Sequence, residues 1–223
     1  MSKKVPFVLY THPVDVSDEE IGNRARTFYN LLNGRRTVRE FSDRPVPREV
    51  IETCIRAAGT APSGAHKQPW HFVAVSEPEI KCAIREAAEA EEKVFYGGKA
   101  GDEWLEALQP FGTDANKPFL ETAPWLIAIF ARNFDLEEDG SRSKNYYVPE
   151  SVGIASGMLI TALHQSGLST LTHTPSPMGF LNKVLGRPAN ERAVILLVVG
   201  HASEDALVPD IERKTLDEIA TFK

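Results

Sequence analysis

Cysteine is scarce in this chain: Cys54 and Cys82 are the only two in 223 residues. Each falls inside a helical pattern, and both read as small core or half-buried residues rather than as a disulfide or a metal pair. Histidines are scattered, with no His-x-x-x-His or Cys-x-x-Cys spacing, so no metal site is expected. No apolar run reaches the ~18–20 residues needed to cross a bilayer. Met1-Ser2-Lys3-Lys4-Val5-Pro6 is basic but leads into no long apolar signal-peptide segment, and a cytoplasmic protein with no membrane partner is expected. Positive charge is also short. A net charge of −6 argues against nucleic acid as a main partner and confines any basic site to a local cluster. Finally, no Gly-x-Gly-x-x-Gly follows a strand, so no Rossmann site for NAD(P)H is visible.

What is present is ordinary in bulk: 42% hydrophobic and 25% charged residues, as expected of a globular protein. The length suits one well-buried domain or one protomer of an intertwined dimer, and there is no repeat, low-complexity tract or linker. Ser17-Asp18-Glu19-Glu20 reads as a capping box. Ile21, Ala25, Phe28 and Leu32 then recur at helical spacing, and Asn33-Gly34 ends the helix. A second helix opens near Pro47, shows Ile51, Cys54, Ile55 and Ala58 on one face, and stops at Gly59. Strands are predicted at 70–76, 124–131, 168–174 and 193–200, a polar helix from Pro78 to about Val94, and a short helix at 180–185. Residues 97–119 read as irregular. The helix predicted from Glu150 to Gln165 mixes Gly153, Ala155, Ser156, Gly157 and Ala162 with large apolar residues, which fits a buried central helix, a subunit interface, or both. Helices and strands mix without regular βαβ alternation, favouring an α+β domain.

Three segments carry chemistry. Arg35-Arg36-Thr37-Val38-Arg39 places three arginines in five residues, able to hold a doubly charged phosphate through forked hydrogen bonds; alone, it reads equally as a solvated basic turn after a helix. Ala61-Pro62-Ser63-Gly64-Ala65-His66 offers a hydroxyl and close-approaching backbone N–H groups. Glu92 and Tyr96 are four apart and share a face if helical, with Lys117 following 21 residues later. Without a family match, a Glu–Tyr pair at this spacing is common on exposed helices, and Lys117 by itself carries no signal. Thr172-His173-Thr174-Pro175 reads in isolation as a strand end before a proline turn.

Arg-Arg-x-Val-Arg after a helix, followed by Ala-Pro-Ser-Gly-Ala-His-x-x-Pro-Trp, resembles the FMN-dependent nitroreductase superfamily, and within it the iodotyrosine deiodinase branch. The resemblance runs from about Asn33 to the C-terminus, with the segments in family order. It implies a mixed sheet flanked by helices, in an intertwined homodimer with two active sites at the interface. It also implies one domain over 1–223, with an N-terminal arm at about 1–16 and a partner-docking tail at about 209–223. The implied cofactor is FMN. Arg35, Arg36, Thr37, Val38 and Arg39 are expected at its phosphate or ring edge, with Arg213 closing on the phosphate. Ser63 faces the ring, and Thr172, His173 and Thr174 lie beside its N5, where the Thr174 hydroxyl favours one-electron steps. Glu92, Tyr96 and Lys117 are implied to clasp the amino-acid end of a halotyrosine, and the Ala65 N–H to hold its phenolate oxygen. NAD(P)H remains possible as reductant, since such flavoproteins stack it on the flavin. Animal members carry an N-terminal membrane anchor, so the start of this chain at the catalytic domain is expected of a bacterial relative or a shortened form. The reading is reductive dehalogenation of halotyrosines; general nitroaromatic or quinone reduction, and a non-catalytic flavin-binding module, are the alternatives.

Overall fold

The computed structural model describes residues 5–11 and 15–223. The expected N-terminal arm thus lies partly outside the described residues, and 5–11 form neither helix nor strand. The chain divides between Arg35 and Arg36 into two compact units.

The first unit holds one helix, α1 (Asp18–Asn33). Ser17 caps it, its Oγ accepting the Glu20 N–H at 3.3 Å, and three acids in the first turn meet the positive helix end. The capping box is only half formed, because the Glu20 carboxylate pairs with Arg24 Nε at 2.5 Å instead of reaching back. Gly34 ends the helix as expected, but in right-handed geometry, its N–H bonding the Asn30 and Leu31 carbonyls. The apolar stripe of α1 is not covered: none of its residues is buried, and Phe28 is 51% exposed.

The second unit comprises α2 (Arg48–Gly59), β1 (Trp70–Val75), α3 (Pro78–Val94), α4 (Asp102–Leu108), α5 (Phe119–Thr122), β2 (Trp125–Arg132), β3 (Phe134–Leu136), β4 (Arg142–Lys144), α6 (Val148–Gln165), β5 (Ser169–His173), α7 (Gly179–Val184), β6 (Glu191–Gly200) and α8 (Leu216–Ile219). Four strands form a sheet in the order β1-β2-β6-β5, every neighbour antiparallel. Parallel pairing enters only through the isolated bridge Thr37–Thr170, with the Val38 N–H on Thr170 O at 3.3 Å. The sheet is therefore mixed at one edge and antiparallel elsewhere.

β2 shows why its sequence is apolar without a break. Trp125, Ile127, Ile129 and Ala131 pack on one side with residues of α2 and α6, while Leu126, Ala128 and Phe130 pack on the other with Ile84, Ala88 and Leu181 of α3 and α7. Side chains alternate between faces, and both faces are covered. This double cover fixes α3, which carries the candidate site, against one side of the sheet.

Three elements depart from the sequence reading. Residues 97–119, expected to be irregular, contain the short helix α4, which opens at Gly101 with no side-chain cap, and a 3-10 turn over Gln109–Phe111. The β3–β4 hairpin was not anticipated, its strands being three residues each and largely polar. In the tail, α8 is held by a capping box between Thr215 and Glu218. Arg36 donates to the Pro209 carbonyl at the start of the tail, while beyond it Ile211, Leu216 and Ile219 are exposed and Phe222 is 81% exposed.

Candidate active site

α3 brings the first part of the site. It begins at Pro78, whose missing N–H and fixed φ suit a first turn, and its Glu-, Ala- and Lys-rich sequence favours helix throughout. Glu92 lies in its last turn. The chain then widens into a π-helical turn, Phe95–Lys99, which Gly98 closes at φ 126°, a conformation that L side chains rarely adopt. Tyr96 sits on this turn, its ring edge-on to Phe95 at 5.2 Å between centroids.

Lys117 comes from the segment before α5 and is tied to α3. Its backbone N–H donates to Glu89 Oε1 at 2.8 Å, and its own carbonyl accepts the Leu120 N–H at 3.0 Å. The side chain is 3% exposed, and its ammonium lies 3.5 Å from Glu92 Oε2, that side chain being 12% exposed. The ammonium also donates to Thr113 Oγ1 at 3.1 Å and to the Asp114 carbonyl, and lies 5.6 Å from the Tyr96 ring centroid. Burial dominates the titration of both partners. It pushes the Glu92 carboxyl above the usual range despite Lys117, and the Lys117 ammonium below its ordinary value despite Glu92.

These side chains border a cavity of about 440 Å³ that is also lined by Arg39, Trp104, Thr113, Phe119, Thr172, His173, Thr174 and Pro175, a volume within the usual small-molecule range. β5 delivers the threonines. It is the last strand of the sheet, paired with β6 on one side and bridged on the other at Thr170 by Thr37; Thr172, and Thr174 just past its end, are exposed while His173 is buried. Among the described residues neither threonine hydroxyl has a hydrogen-bond partner. His173 is buried edge-on to Phe119 at 5.8 Å, with Nε2 likewise unpartnered. Burial, with Lys117 and Arg39 adding to it, pushes His173 down to about 3, so its ring is neutral at pH 7. Arg39 is half-buried, its guanidinium 5.8 Å from the Phe111 ring centroid. Burial lowers its pKa, and an arginine so placed still stays charged.

The other predicted residues lie elsewhere. Arg35 ends the first unit. Arg36 donates to the Pro209 carbonyl, four residues before Arg213 in the C-terminal tail. Thr37 is bridged to β5, and Val38 is buried in the core with its N–H already used, leaving its carbonyl. Ser63 and Ala65 do not line the cavity. They belong to a strained turn in which Ala65, His66 and Gln68 have φ of 50°, 55° and 48°. Ser63 Oγ accepts the Gln68 N–H at 2.9 Å, and Lys67 reaches Ser143 Oγ at 2.9 Å, so the Lys67-Gln68 pair staples the turn. Gly64 permits its close seat, since a Cβ there would fall 2.7 Å from the Tyr146 carbonyl oxygen.

Sequence reading missed Trp104, Thr113 and Phe119 as lining residues, and Glu89 as the partner of the Lys117 backbone. Only Glu89 left a signal, three residues before Glu92 on the same helical face.

The antiparallel sheet flanked by helices, with a cavity at its edge strand and a half-buried arginine beside it, is an α+β fold of the nitroreductase type. The nitroreductase family model matches residues 32–201, and the chain belongs to that family. Within it, the chain falls in the iodotyrosine deiodinase branch. It is 55% identical over 214 residues to iodotyrosine deiodinase of Haliscomenobacter hydrossis, covering 96% of each chain. It is 44% identical over 216 residues to iodotyrosine deiodinase 1 of Homo sapiens, covering 96% of this chain and 73% of that one. A crystal structure of oxidized iodotyrosine deiodinase bound to FMN and 3-iodo-L-tyrosine aligns with a TM-score of 0.74 at 31% identity, over 87% of this chain and 100% of that one. A BluB-like flavoprotein from Clostridium difficile, at 20% identity and TM-score 0.66, shares the fold. Among the described residues no helix is long and apolar enough to cross a membrane.

Proposed function

We propose that this chain is an FMN-dependent oxidoreductase that reductively removes the halogen from halotyrosines, iodotyrosine being the first to test. One observation carries the reading: Glu92, Tyr96 and Lys117, far apart in sequence, meet at one cavity with Thr172 and Thr174 at its wall. The donor set fits FMN. Arg36, Arg39 and Arg213 supply forked cations for a phosphate, and the exposed Thr172 and Thr174 hydroxyls and the buried, unpaired His173 Nε2 add polar groups that a flavin ring could use. Thr37 and Val38 contribute backbone, Ser63 faces the ring, and Arg35 rests on the motif alone. When bound and reduced, FMN supplies the electrons. The net change is ArI + 2e⁻ + H⁺ → ArH + I⁻, the C–I bond breaking and a C–H bond replacing it.

The protein's own part is placement. The substrate ammonium takes the Glu92 carboxylate, and the substrate carboxylate takes Lys117 and the Tyr96 hydroxyl. The buried Glu92–Lys117 pair is thereby exchanged for two new pairs. Closure of the Ala90–Lys117 segment excludes water, and the Ala65 N–H holds the phenolate oxygen. In this reading a nicotinamide is the ultimate electron source by stacking, without a fold-encoded site.

A homodimer belongs to this reading. Within one protomer the Ser63–Ala65 turn does not line the cavity, and in this reading a second copy brings it there. Three features support such an assembly: the uncovered stripe of α1, the exposed apolar tail, and an outward face of α6 bearing Gly153, Ile154 and Gly157. The functional test is anaerobic turnover of iodo-, bromo- and chlorotyrosine with dithionite, beside a nitroaromatic. Halide release from the tyrosines is expected. Nitro reduction with no halide release would replace this reading by a general nitroreductase.

A further inference from the structure

The clasp residues do not hold themselves in place. α3 presents two carboxylates on one face, Glu89 and Glu92, and both grip the same lysine. Glu92 takes the Lys117 ammonium at 3.5 Å, while Glu89 Oε1 takes the Lys117 backbone N–H at 2.8 Å. The second oxygen of Glu89 is held by Arg85 Nη1 at 2.9 Å, and Arg85 Nε reaches the Glu121 carboxylate on α5. At the far end of α5, Lys81 donates to the Glu121 and Ala123 carbonyls at 2.7 and 2.9 Å. α5 is thus pinned to α3 at both ends, and Lys117 sits where the pinned part begins. The N–H bond to Glu89 is the last fixed point before the segment carrying Thr113 and Asp114.

We propose that Glu89 is a positioning residue for substrate recognition: it anchors the Lys117 backbone so that the ammonium can leave Glu92 for a substrate carboxylate without the segment moving with it. This rests on the deiodinase reading above. Glu89 does not touch the substrate and acts through Lys117 alone. Its loss should affect ligands that carry an amino-acid end and leave untouched those that do not. Arg85 and Glu121 keep their own pair when Glu89 is replaced, and Lys81 still pins the far end, so α5 stays in place.

The experiment uses the FMN-loaded protein with Glu89→Ala and Glu89→Met, which lack the acceptor, and Glu89→Gln, whose amide oxygen restores it. Hydrogen exchange at the Lys117 amide is measured beside KM and kcat for iodotyrosine, for an iodophenol and for a nitroaromatic. In Ala or Met, whichever folds, exchange at Lys117 should accelerate and KM for iodotyrosine rise about tenfold, the factor expected for a lost hydrogen bond to a charged group. The iodophenol and nitroaromatic constants should not move, and Gln should recover most of both effects. Unchanged exchange at Lys117, or KM rising equally for iodotyrosine and iodophenol, overturns the proposal. Should the parent release no iodide from iodotyrosine, the deiodinase reading falls instead, and the Lys117 exchange rate still decides whether Glu89 anchors that amide.

Discussion

The buried Glu92–Lys117 pair should cost stability rather than supply it, and replacing both partners tests this. At 3.5 Å the two charges attract by about 4.7 kcal/mol if the local dielectric behaves as ~20. Against that stands the desolvation of two ions, several kcal/mol each. Which side wins is visible in the titration: burial outweighs the partner for both groups, raising Glu92 and lowering Lys117. A carboxyl with a raised folded value adds stability below its unfolded value, and that stability is lost as pH rises through the folded one. An amine with a lowered folded value adds stability at high pH, and that is lost as pH falls through the folded one. Between the two folded values both groups are charged and the pair helps least, so neutral pH is where its cost shows.

The perturbation is Glu92→Gln with Lys117→Met. The double variant should be as stable as the parent at pH 7 or up to about 4 kcal/mol more stable, whereas Lys117→Met alone, leaving a buried carboxylate unpaired, should lose ~3–5 kcal/mol, or less if Glu92 takes up a proton. Urea unfolding followed by circular dichroism, at fixed protein and FMN concentrations because both shift the apparent midpoint, gives the comparison. Iodotyrosine turnover should vanish in the double variant while nitroaromatic reduction persists. A double variant that is less stable than the parent by more than about 1 kcal/mol would show that the pair stabilises the fold, and the argument from desolvation would be wrong.

Four further outcomes are expected. KM for iodotyrosine should rise as pH falls through the raised Glu92 value, because a protonated carboxyl cannot pair with the ammonium; a KM that stays constant as pH is lowered from neutral until the carboxyl is protonated would count against Glu92. Arg36→Ala and Arg213→Ala should each weaken FMN retention by ~2–5 kcal/mol, read by equilibrium dialysis; retention equal to the parent in both would remove the phosphate assignment. Sedimentation should give a dimer at micromolar concentration, and a flavin-loaded monomer would contradict the shared-site reading. Thr174→Ala should reduce separation of the two one-electron waves in a redox titration with a substrate analogue bound, and favour nitro reduction; an identical titration would clear Thr174 of that role.

Much of the fold was legible where local and tertiary signals agree. α3 begins and ends as read, because Pro78 fits only a first turn and the residues after it favour helix. β2 and β6 were legible as long apolar runs, since both faces of the sheet are covered. α4 was not, because seven residues between glycine-containing turns carry too few periods to reveal a face. The β3–β4 hairpin was hidden because its strands are only three residues long and β4, Arg142–Lys144, is entirely polar. In the site, Glu92 and Tyr96 were visible as helical neighbours, yet the turn bearing Tyr96 is π-helical, which spacing alone does not show. Lys117 was legible only through family resemblance, because the segment between it and Tyr96 has no period that fixes its return to α3. Glu89 escaped because a carboxylate that serves a backbone N–H looks like any surface glutamate in sequence.

In the proposed function, the burial and the self-pairing of Glu92 and Lys117 would together set what the clasp selects. A ligand that supplies only an ammonium would satisfy Glu92 and leave Lys117 buried with Thr113 and the Asp114 carbonyl as its remaining partners. One that supplies only a carboxylate would leave Glu92 unpaired beside it. Either case leaves an uncompensated charge in a site where burial already outweighs pairing. A free amino acid brings both charges a fixed distance apart, so the pair can open with neither partner stranded. The cost of holding Glu92 and Lys117 out of water is thus converted into discrimination against ligands with one charge or none. This also accounts for the second tether on Lys117: an ammonium that must exchange partners at close range needs a backbone that stays where Glu89 holds it.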